Sequence, residues 1–204
     1  MRTLRRILGG LLLVVLLLAI VAGGYGVYTV RRAFPRTAGT LAVKGLLGPV
    51  DVLRDKNGIP HIYAASEHDL FMAQGYVHAQ DRFYQMDYWR HETSGRLAEL
   101  YGSSVVGIDK FLRTLGWHRL AEAEYQSADP DTKALLDAYA AGVNAYLAGR
   151  SPADLSLEYS VLALNGLSGY QPEPWTPADT LAWGKAMAWD LGGNLDSEIE
   201  RAIL

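Results

Sequence analysis

The sequence predicts an α+β domain that is mostly helical and that follows one N-terminal transmembrane helix. Three observations predict this arrangement. Residues 7–30 form an apolar run without a charged side chain. Helix-capping residues precede three long segments with apolar stripes, at Ser66, Asp129 and Thr176. One Asn57-Gly58 pair lies between two short segments rich in β-branched and aromatic residues, and it marks a hairpin.

The apolar run is long enough to cross a bilayer. Its 24 residues would rise roughly 36 Å as a helix, against a hydrocarbon core of roughly 30 Å. Arginines flank it on both sides, and the helix would be apolar on every face. We therefore predict that residues 1–32 are a membrane anchor or a signal segment. The length favours an uncleaved anchor, although the small residues at 22–24 would suit cleavage, and both alternatives stay open.

Composition narrows the function classes. The chain has no cysteine, which excludes disulfide scaffolds, thiolate metal sites and thiol nucleophiles. After residue 36 there are 13 basic against 22 acidic side chains, a net charge of −9. Such an acidic body argues against nucleic-acid binding, which requires Lys and Arg to displace counterions. It suits export, so we predict a membrane-anchored, extracytoplasmic body with the N-terminus inside the cell.

The segment that follows the anchor is predicted to be a linker followed by a hairpin. Residues 33–49 contain proline and several glycines and are predicted to be an extended linker, with a possible strand at 40–43. Residues 50–54 and 59–64 are predicted to be the two strands of the hairpin. Residues 50–204, which include the hairpin, are interpreted as one domain.

Capping residues define the three long helices of this domain. The first is predicted to begin at Ser66, with Asp69 completing a capping box, and to end near Arg90. The second begins at Asp129 and ends before Gly149, and the third begins at Thr176 and ends at the Gly192-Gly193 pair. Shorter helices are predicted near residues 96–101, 105–125 and 155–162.

Side chains that could carry chemistry form no recognisable motif. None of the five histidines has the spacing of a helix-borne zinc site, and there is no P-loop, dinucleotide fingerprint or GxSxG elbow. His78 and Asp81 are predicted to share a structural hydrogen bond. Ion pairs are expected between Asp81 and Arg82 and between Glu92 and Arg96. Residue patterns alone therefore predict a membrane-tethered, mostly helical domain and no specific activity.

Several longer strings resemble the penicillin acylase family. They occur in order along the chain from about residue 50 to the end. The strings are VLRDKNGIPHI at 52–62, QGYVHAQDRFYQM at 74–86, SGRLAE at 94–99, AYAAGVNAY at 138–146, PWTPAD at 174–179, MAWDL at 187–191, and Glu198. Residues 50–204 are thereby identified as similar to the α-chain part of such an enzyme.

The resemblance implies a fold and a reaction. Members of the family are N-terminal-nucleophile hydrolases with a four-layer αββα architecture, and they cleave amide bonds in β-lactams or acyl-homoserine lactones. One precursor cuts itself into an α chain and a β chain, and the new N-terminal serine of the β chain is the nucleophile. No such start occurs in this chain, since Gly102-Ser103 is a poor processing site. We therefore expect no catalytic residue in this chain, which would be an incomplete enzyme.

The resemblance also assigns three side chains. Met187 and Leu191 fall where the family's α chain lines the acyl side of the substrate pocket, although plain core packing explains them equally well. Glu198 aligns with a glutamate that joins β-chain oxygens around a structural calcium ion, and Asp190 and Asp196 are possible auxiliaries. Calcium takes six or more oxygen ligands, so Glu198 would need the β chain to complete the site.

Two alternatives to an enzyme part stay open. The chain could be a noncatalytic, membrane-tethered binding or scaffold remnant of such an enzyme, or an unrelated anchored helical interaction domain. If it is an enzyme part, its partners are the β chain of the same precursor, a small N-acyl amide substrate and the membrane. Large apolar surfaces should then be exposed where the β chain would pack.

Overall fold

The computed structural model of the protein describes residues 2–203. These residues form ten α-helices, one 3₁₀ turn and one two-stranded sheet. The elements are α1 (Arg2–Arg32), β1 (Asp51–Arg54), β2 (Pro60–Tyr63), α2 (Glu67–Thr93), α3 (Ala98–Tyr101), the 3₁₀ turn (Gly102–Val105), α4 (Val106–Leu115), α5 (Trp117–Ser127), α6 (Pro130–Leu147), α7 (Pro152–Leu155), α8 (Leu157–Leu164), α9 (Pro177–Leu191) and α10 (Leu195–Ile203). The mostly helical character is confirmed, whereas the four-layer architecture stays a prediction.

Helix α1 projects from the body. Among the described residues, Arg6–Arg32 is one helix that is long and apolar enough to cross a membrane. Its side chains are exposed from Arg6 to Tyr28, as expected for a helix whose partner would be lipid. Only its last turns contact the body, where the Arg32 guanidinium lies 2.8 Å from an Asp154 oxygen and donates to the Ser151 hydroxyl at 2.9 Å.

The predicted hairpin is confirmed. Strands β1 and β2 are antiparallel, and Asp51 faces Tyr63 in the register. The Asp55 carboxylate accepts hydrogen bonds from the amides of Asn57 and Ile59 across the turn, and Gly58 has a φ of +80° that suits a residue without a Cβ.

The strand expected at residues 40–43 is wrong. These residues adopt no regular structure, and the described sheet contains β1 and β2 alone. A strand requires a neighbour for its backbone groups, and the positive φ angles of Gly39 and Gly45 turn the chain on both sides of this segment. The linker instead lies over α2, where the Gln80 amide donates to the Arg36 carbonyl at 2.8 Å.

The core is centred on the contact between α2 and α6. Two glycines allow the backbones of these helices to touch. A Cβ added at Gly142 would lie 1.8 Å from the Met72 carbonyl oxygen, and one at Gly75 would lie 2.1 Å from that of Tyr139. The buried apolar cluster around this contact consists of Ala79, Phe83, Ala140, Val143, Tyr146, Leu155, Tyr159 and Trp175.

A buried polar network connects this core to the segments that follow. Asp87 on α2 is fully buried, and it accepts hydrogen bonds from the hydroxyls of Tyr159 at 2.7 Å and Tyr170 at 2.6 Å. Its other oxygen pairs with Arg90, which also donates to the Glu173 carbonyl at 2.8 Å. The network therefore holds α8 and the segment before α9 against α2.

Two of the predicted helix starts have the expected caps. Asp129 accepts hydrogen bonds from the amides of Asp131 and Thr132, and Thr176 and Asp179 form the reciprocal capping box of α9. The Ser66 box is only half correct. The Ser66 hydroxyl accepts from the Asp69 amide, but the Asp69 carboxylate accepts from Leu47 and Gly48 in the linker instead of reaching back.

The single helix expected over 105–125 is also wrong. The structure divides it into α4 and α5 at Gly116, whose φ of +70° ends α4 in the left-handed conformation. The Gly116 amide donates to the Leu112 carbonyl at 3.0 Å, so it satisfies a terminal acceptor of α4. The chain then turns so that α5 packs against α9.

Candidate substrate-binding face

Met187 and Leu191 lie one helical turn apart on the last two turns of α9. They therefore share one face of that helix. Their side chains are 41% and 77% exposed, so they are not core residues within the described part of the chain. A cavity of about 590 Å³ lies between the linker and α2, and neither residue lines it. The structure thus places the two predicted pocket residues together on an open apolar face.

One aromatic side chain that the sequence prediction did not include extends this face. Trp183 lies one turn before Met187 on α9, and its ring centroid is 4.2 Å from that of Trp89 on α2. Trp189, two residues from both Met187 and Leu191, lies on the other side of α9, where its ring centroid is 6.4 Å from that of Phe111 and 6.1 Å from that of Trp117. The signal for Trp183 was present in the sequence, because its spacing of four from Met187 puts it on the same helical stripe.

A carboxyl group with an unusual environment lies close to the same end of α9. One oxygen of Glu92 is buried and has no hydrogen-bond partner among the described residues. Burial raises the pKa of Glu92, and repulsion from the Asp190 carboxylate raises it further. Charge on both acids at once is therefore disfavoured.

Glu198 lies on α10, apart from this pair. It is exposed, and one of its oxygens is 2.9 Å from an Arg201 nitrogen. Residues 2–203 contain no group of three or more His, Asp or Glu side chains placed to hold a metal ion. Because a hard cation takes at least six oxygens, the described residues do not by themselves fit calcium.

The expected pairings around α2 are replaced by longer-range contacts. His78 does not bond to Asp81; its Nδ1 atom lies 2.9 Å from the Tyr139 hydroxyl, and Asp81 pairs with Arg54 at 2.8 Å instead of Arg82. Burial lowers the pKa of His78 and raises that of Tyr139 to about 12. The first contact is therefore a neutral hydrogen bond at physiological pH.

The pair expected between Glu92 and Arg96 does not form either. Arg96 donates to Glu99 and, across the fold, to Glu173, and these bonds lower the pKa of both carboxyl groups. Hydrogen bonds from Arg96 to Glu173 thereby connect residues 96–99 to the segment before α9.

No serine hydroxyl forms a hydrogen bond with a histidine ring among the described residues. Ser103 lies in the 3₁₀ turn, and its neighbour Ser104 donates to the Tyr101 carbonyl. Among the hydrogen bonds of residues 2–203, the histidine rings contact carboxylates, a backbone carbonyl and a tyrosine, and none contacts a serine hydroxyl. A serine–histidine pair would be the minimum for a conventional activated serine.

Comparison with known proteins identifies the family. The model of the penicillin amidase family matches residues 49–204. The chain belongs to the penicillin amidase family. The chain is 41% identical over 152 residues to penicillin acylase 2 proenzyme from Pseudomonas sp. (strain SE83). This match covers 74% of this chain and 19% of that protein.

Other relatives of this penicillin amidase family member carry a different acylase name. It is 38% identical over 175 residues to acyl-homoserine lactone acylase QuiP from Pseudomonas aeruginosa, covering 84% of this chain and 20% of that protein. The structure superimposes on a thermostable penicillin G acylase from Alcaligenes faecalis with a TM-score of 0.59 and 33% identity, over 69% of this chain and 72% of that one. The chain thus spans about a fifth of the curated relatives it matches.

Proposed function

We propose that this chain is the α-chain part of an amidohydrolase that cleaves the carbon–nitrogen amide bond of an N-acyl substrate. The family match over residues 49–204 carries the proposal. Relatives named penicillin acylase and acyl-homoserine lactone acylase support a β-lactam or an acyl-homoserine lactone as the substrate class. The proposal includes a noncatalytic role for the chain when it is alone.

The proposed nucleophile is the N-terminal serine of a β chain made from the same precursor. Its hydroxyl oxygen attacks the amide carbonyl while its own α-amine accepts the proton. The tetrahedral intermediate then expels the amine, which takes up a proton, and leaves an acyl ester that water hydrolyses to the free acid. The name proenzyme for one relative supports a precursor.

The proposed task of this chain is to form one wall of the acyl pocket. Met187 and Leu191 present adjacent apolar surface, and the neighbouring Trp183 extends it along α9. An unbranched thioether and an isobutyl group suit an apolar acyl chain. One methylene in such a pocket is worth about 1–3 kcal/mol, so the size of these side chains would decide which acyl group is preferred.

Two further assignments belong to the same proposal. Glu198 would supply one oxygen to a calcium site whose other ligands come from the β chain, and the ion would hold the two chains together without entering the reaction. Helix α1 would anchor the enzyme in a membrane with its body outside the cytoplasm. The support for the anchor is the length and apolar character of Arg6–Arg32.

The coding DNA on the 3′ side of this segment, together with the purified product, tests the proposal. We expect an in-frame continuation, and we expect N-terminal sequencing of the product to reveal a second polypeptide that begins with serine. The purified two-chain product should hydrolyse an N-acylated β-lactam or an N-acyl-homoserine lactone. A product without such a second polypeptide, still folded and bound to the membrane, would support the scaffold alternative instead.

A further inference from the structure

The contact between α1 and the body defines which side of the protein faces the membrane. Helix α1 contacts α7 and α8. Near its end, Thr29 and Arg32 are half-buried, whereas the side chains from Arg6 to Tyr28 are exposed. The Arg32 guanidinium forms hydrogen bonds with Asp154 and Ser151 of the α7 segment. The end of the proposed anchor is therefore fixed beside α7 and α8 and is not a free tether.

The same end of α1 has the side chains expected at a membrane surface. Tyr25 and Tyr28 precede Arg31 and Arg32, and the Arg32 guanidinium lies 5.6 Å from the centre of the Tyr28 ring. Tyrosines and arginines are typical of the headgroup region, where one end of the side chain is apolar and the other is hydrated. A helix that touches α1 at this level would lie at the same depth.

Helix α8 presents an exposed apolar stripe. Tyr159 is buried in the core. On a helical projection, Leu157, Val161 and Leu164 fall within an arc of about 60° on the opposite side. They are 37%, 48% and 88% exposed, respectively. A short helix with one face in the core and an apolar stripe on the other face is amphipathic in the sense of interfacial helices.

The stripe itself contains no charged side chain. Glu158, the acid on α8, is about 100° around the helix from Leu157 and outside the arc. Arg31 and Arg36 are exposed near the end of α1, where they would meet lipid phosphates. The surface thus has an apolar centre with basic residues close to the membrane exit.

We propose that α8 lies on the outer surface of the membrane and inserts Leu157, Val161 and Leu164 into the interfacial region of the bilayer. This inference rests on the proposed anchoring of α1, and the occupant is lipid. The ion pair of Arg32 with Asp154 holds the body against the bilayer, so that the rest of the molecule has a defined orientation relative to it.

A single fluorescent label tests this placement, because the chain contains no cysteine. A cysteine at Leu164 (L164C) carries an environment-sensitive nitrobenzoxadiazole group, and Ile108→Cys on α4, a half-exposed apolar position, is the matched control. Leu164 is largely exposed, so the substitution removes no core packing. The full protein, with any partner chain it has, is reconstituted in vesicles of phosphatidylethanolamine and phosphatidylglycerol.

We expect blue-shifted emission from the label at 164, quenching by lipids that carry a nitroxide near the headgroup, and protection from aqueous iodide. The label at 108 should show no blue shift, no quenching by the nitroxide lipids and ready quenching by aqueous iodide. Asp154→Asn weakens the attachment of Arg32 and should increase the access of iodide to position 164. A label at 164 that iodide quenches as readily as the label at 108 overturns the placement.

Two other outcomes are also decisive. Blue-shifted emission at 164 without quenching by the lipid nitroxide means that protein covers α8, which overturns the proposal as well. Extraction with alkaline carbonate tests the anchor separately. A chain that carbonate releases from the vesicles refutes the anchoring of α1 and this placement with it, whereas a retained chain with a water-exposed label refutes the placement alone.

Discussion

The imidazole of His118 on α5 lies against the carboxylate of Asp179 on α9, with Nε2 3.3 Å from Oδ1. Asp179 is buried and also accepts hydrogen bonds from the Thr176 amide and hydroxyl, both at 2.8 Å. One carboxylate therefore caps α9 and binds α5 at the same time. Asp179 is in the first turn of α9, the helix that carries Met187 and Leu191. Its contact with His118 therefore helps to position the candidate face.

The pair should make the stability of the fold depend on pH. The hydrogen bond to Asp179 raises the pKa of His118, with burial opposing it, Glu122 adding to it and Arg96 reducing it. A raised folded-state pKa contributes stability that is complete below the ordinary value of about 6.5 and is lost as the pH rises through the raised value. We expect the Tm of the detergent-solubilised chain to fall as the pH rises above about 6.5.

The control for this effect is His118→Gln, which keeps a polar side chain but does not titrate. Its Tm should change less over the same range. For Asp179, burial favours the neutral acid, but hydrogen bonds from His118 and Thr176 outweigh it and lower its pKa. Its contribution is therefore present above about pH 4 and lost at lower pH. An equal fall in Tm for both proteins at alkaline pH would show that the pair contributes nothing.

Gly142→Ala should strongly destabilise the protein. The added Cβ would lie 1.8 Å from the Met72 carbonyl oxygen, and a backbone atom cannot move away without separating α2 from α6. Overpacking of this kind costs about 3 kcal/mol or more. Gly184→Ala on α9 is the matched control, since its Cβ meets nothing within 4 Å. The control should be neutral or stabilising by about 1 kcal/mol. Similar free energies of unfolding for both variants would argue against this helix contact.

Asp87→Ala should cost about 3–5 kcal/mol, because it leaves the buried Arg90 without its carboxylate. Tyr170→Phe removes one hydrogen bond to that carboxylate and should cost about 1.5–3 kcal/mol. Asp81→Ala is the comparison, since it breaks a more exposed ion pair with Arg54 that is worth at most about 1 kcal/mol. Urea unfolding measures all three, and equal costs for the Asp87 and Asp81 variants would contradict the network.

Met187→Ala should change the acyl preference of the complete enzyme and leave its stability nearly unchanged, because the side chain is largely exposed in this chain. The space vacated by the side chain should shift the kcat/KM ratio of a long to a short acyl substrate by about 10-fold or more. Met187→Leu, with similar volume, is the control and should shift it less. A lower Tm with an unchanged ratio would assign Met187 to packing alone.

Local signals in the sequence predicted local structure correctly. The caps at Asp129 and Thr176 depend on residues within three positions, and the Asn57-Gly58 turn depends on a φ that glycine adopts easily. Gly116 shows the limit of such reasoning. A glycine inside a helical pattern is compatible with continuation, and only its observed φ of +70° ends α4 there.

Partners that are distant in sequence were not predictable from one chain. Asp69 has the spacing of a capping box, yet its carboxylate binds amides in the linker about twenty residues earlier, because the linker folds over α2. Trp89 and Trp183 are brought together in the same way. Met187 and Leu191 were identified by resemblance, and their assignment to the acyl pocket stays a prediction because the β chain that would face them is itself a proposal.

An acylase assay on the purified 204-residue chain tests the central claim most directly. The substrates are an N-acylated β-lactam and an N-acyl-homoserine lactone, and the product measured is the released amine. We predict no hydrolysis above the buffer rate by this chain alone, and hydrolysis when it is produced together with the rest of its precursor. Sustained turnover by the isolated chain would contradict the account, because the nucleophile would then lie within these residues.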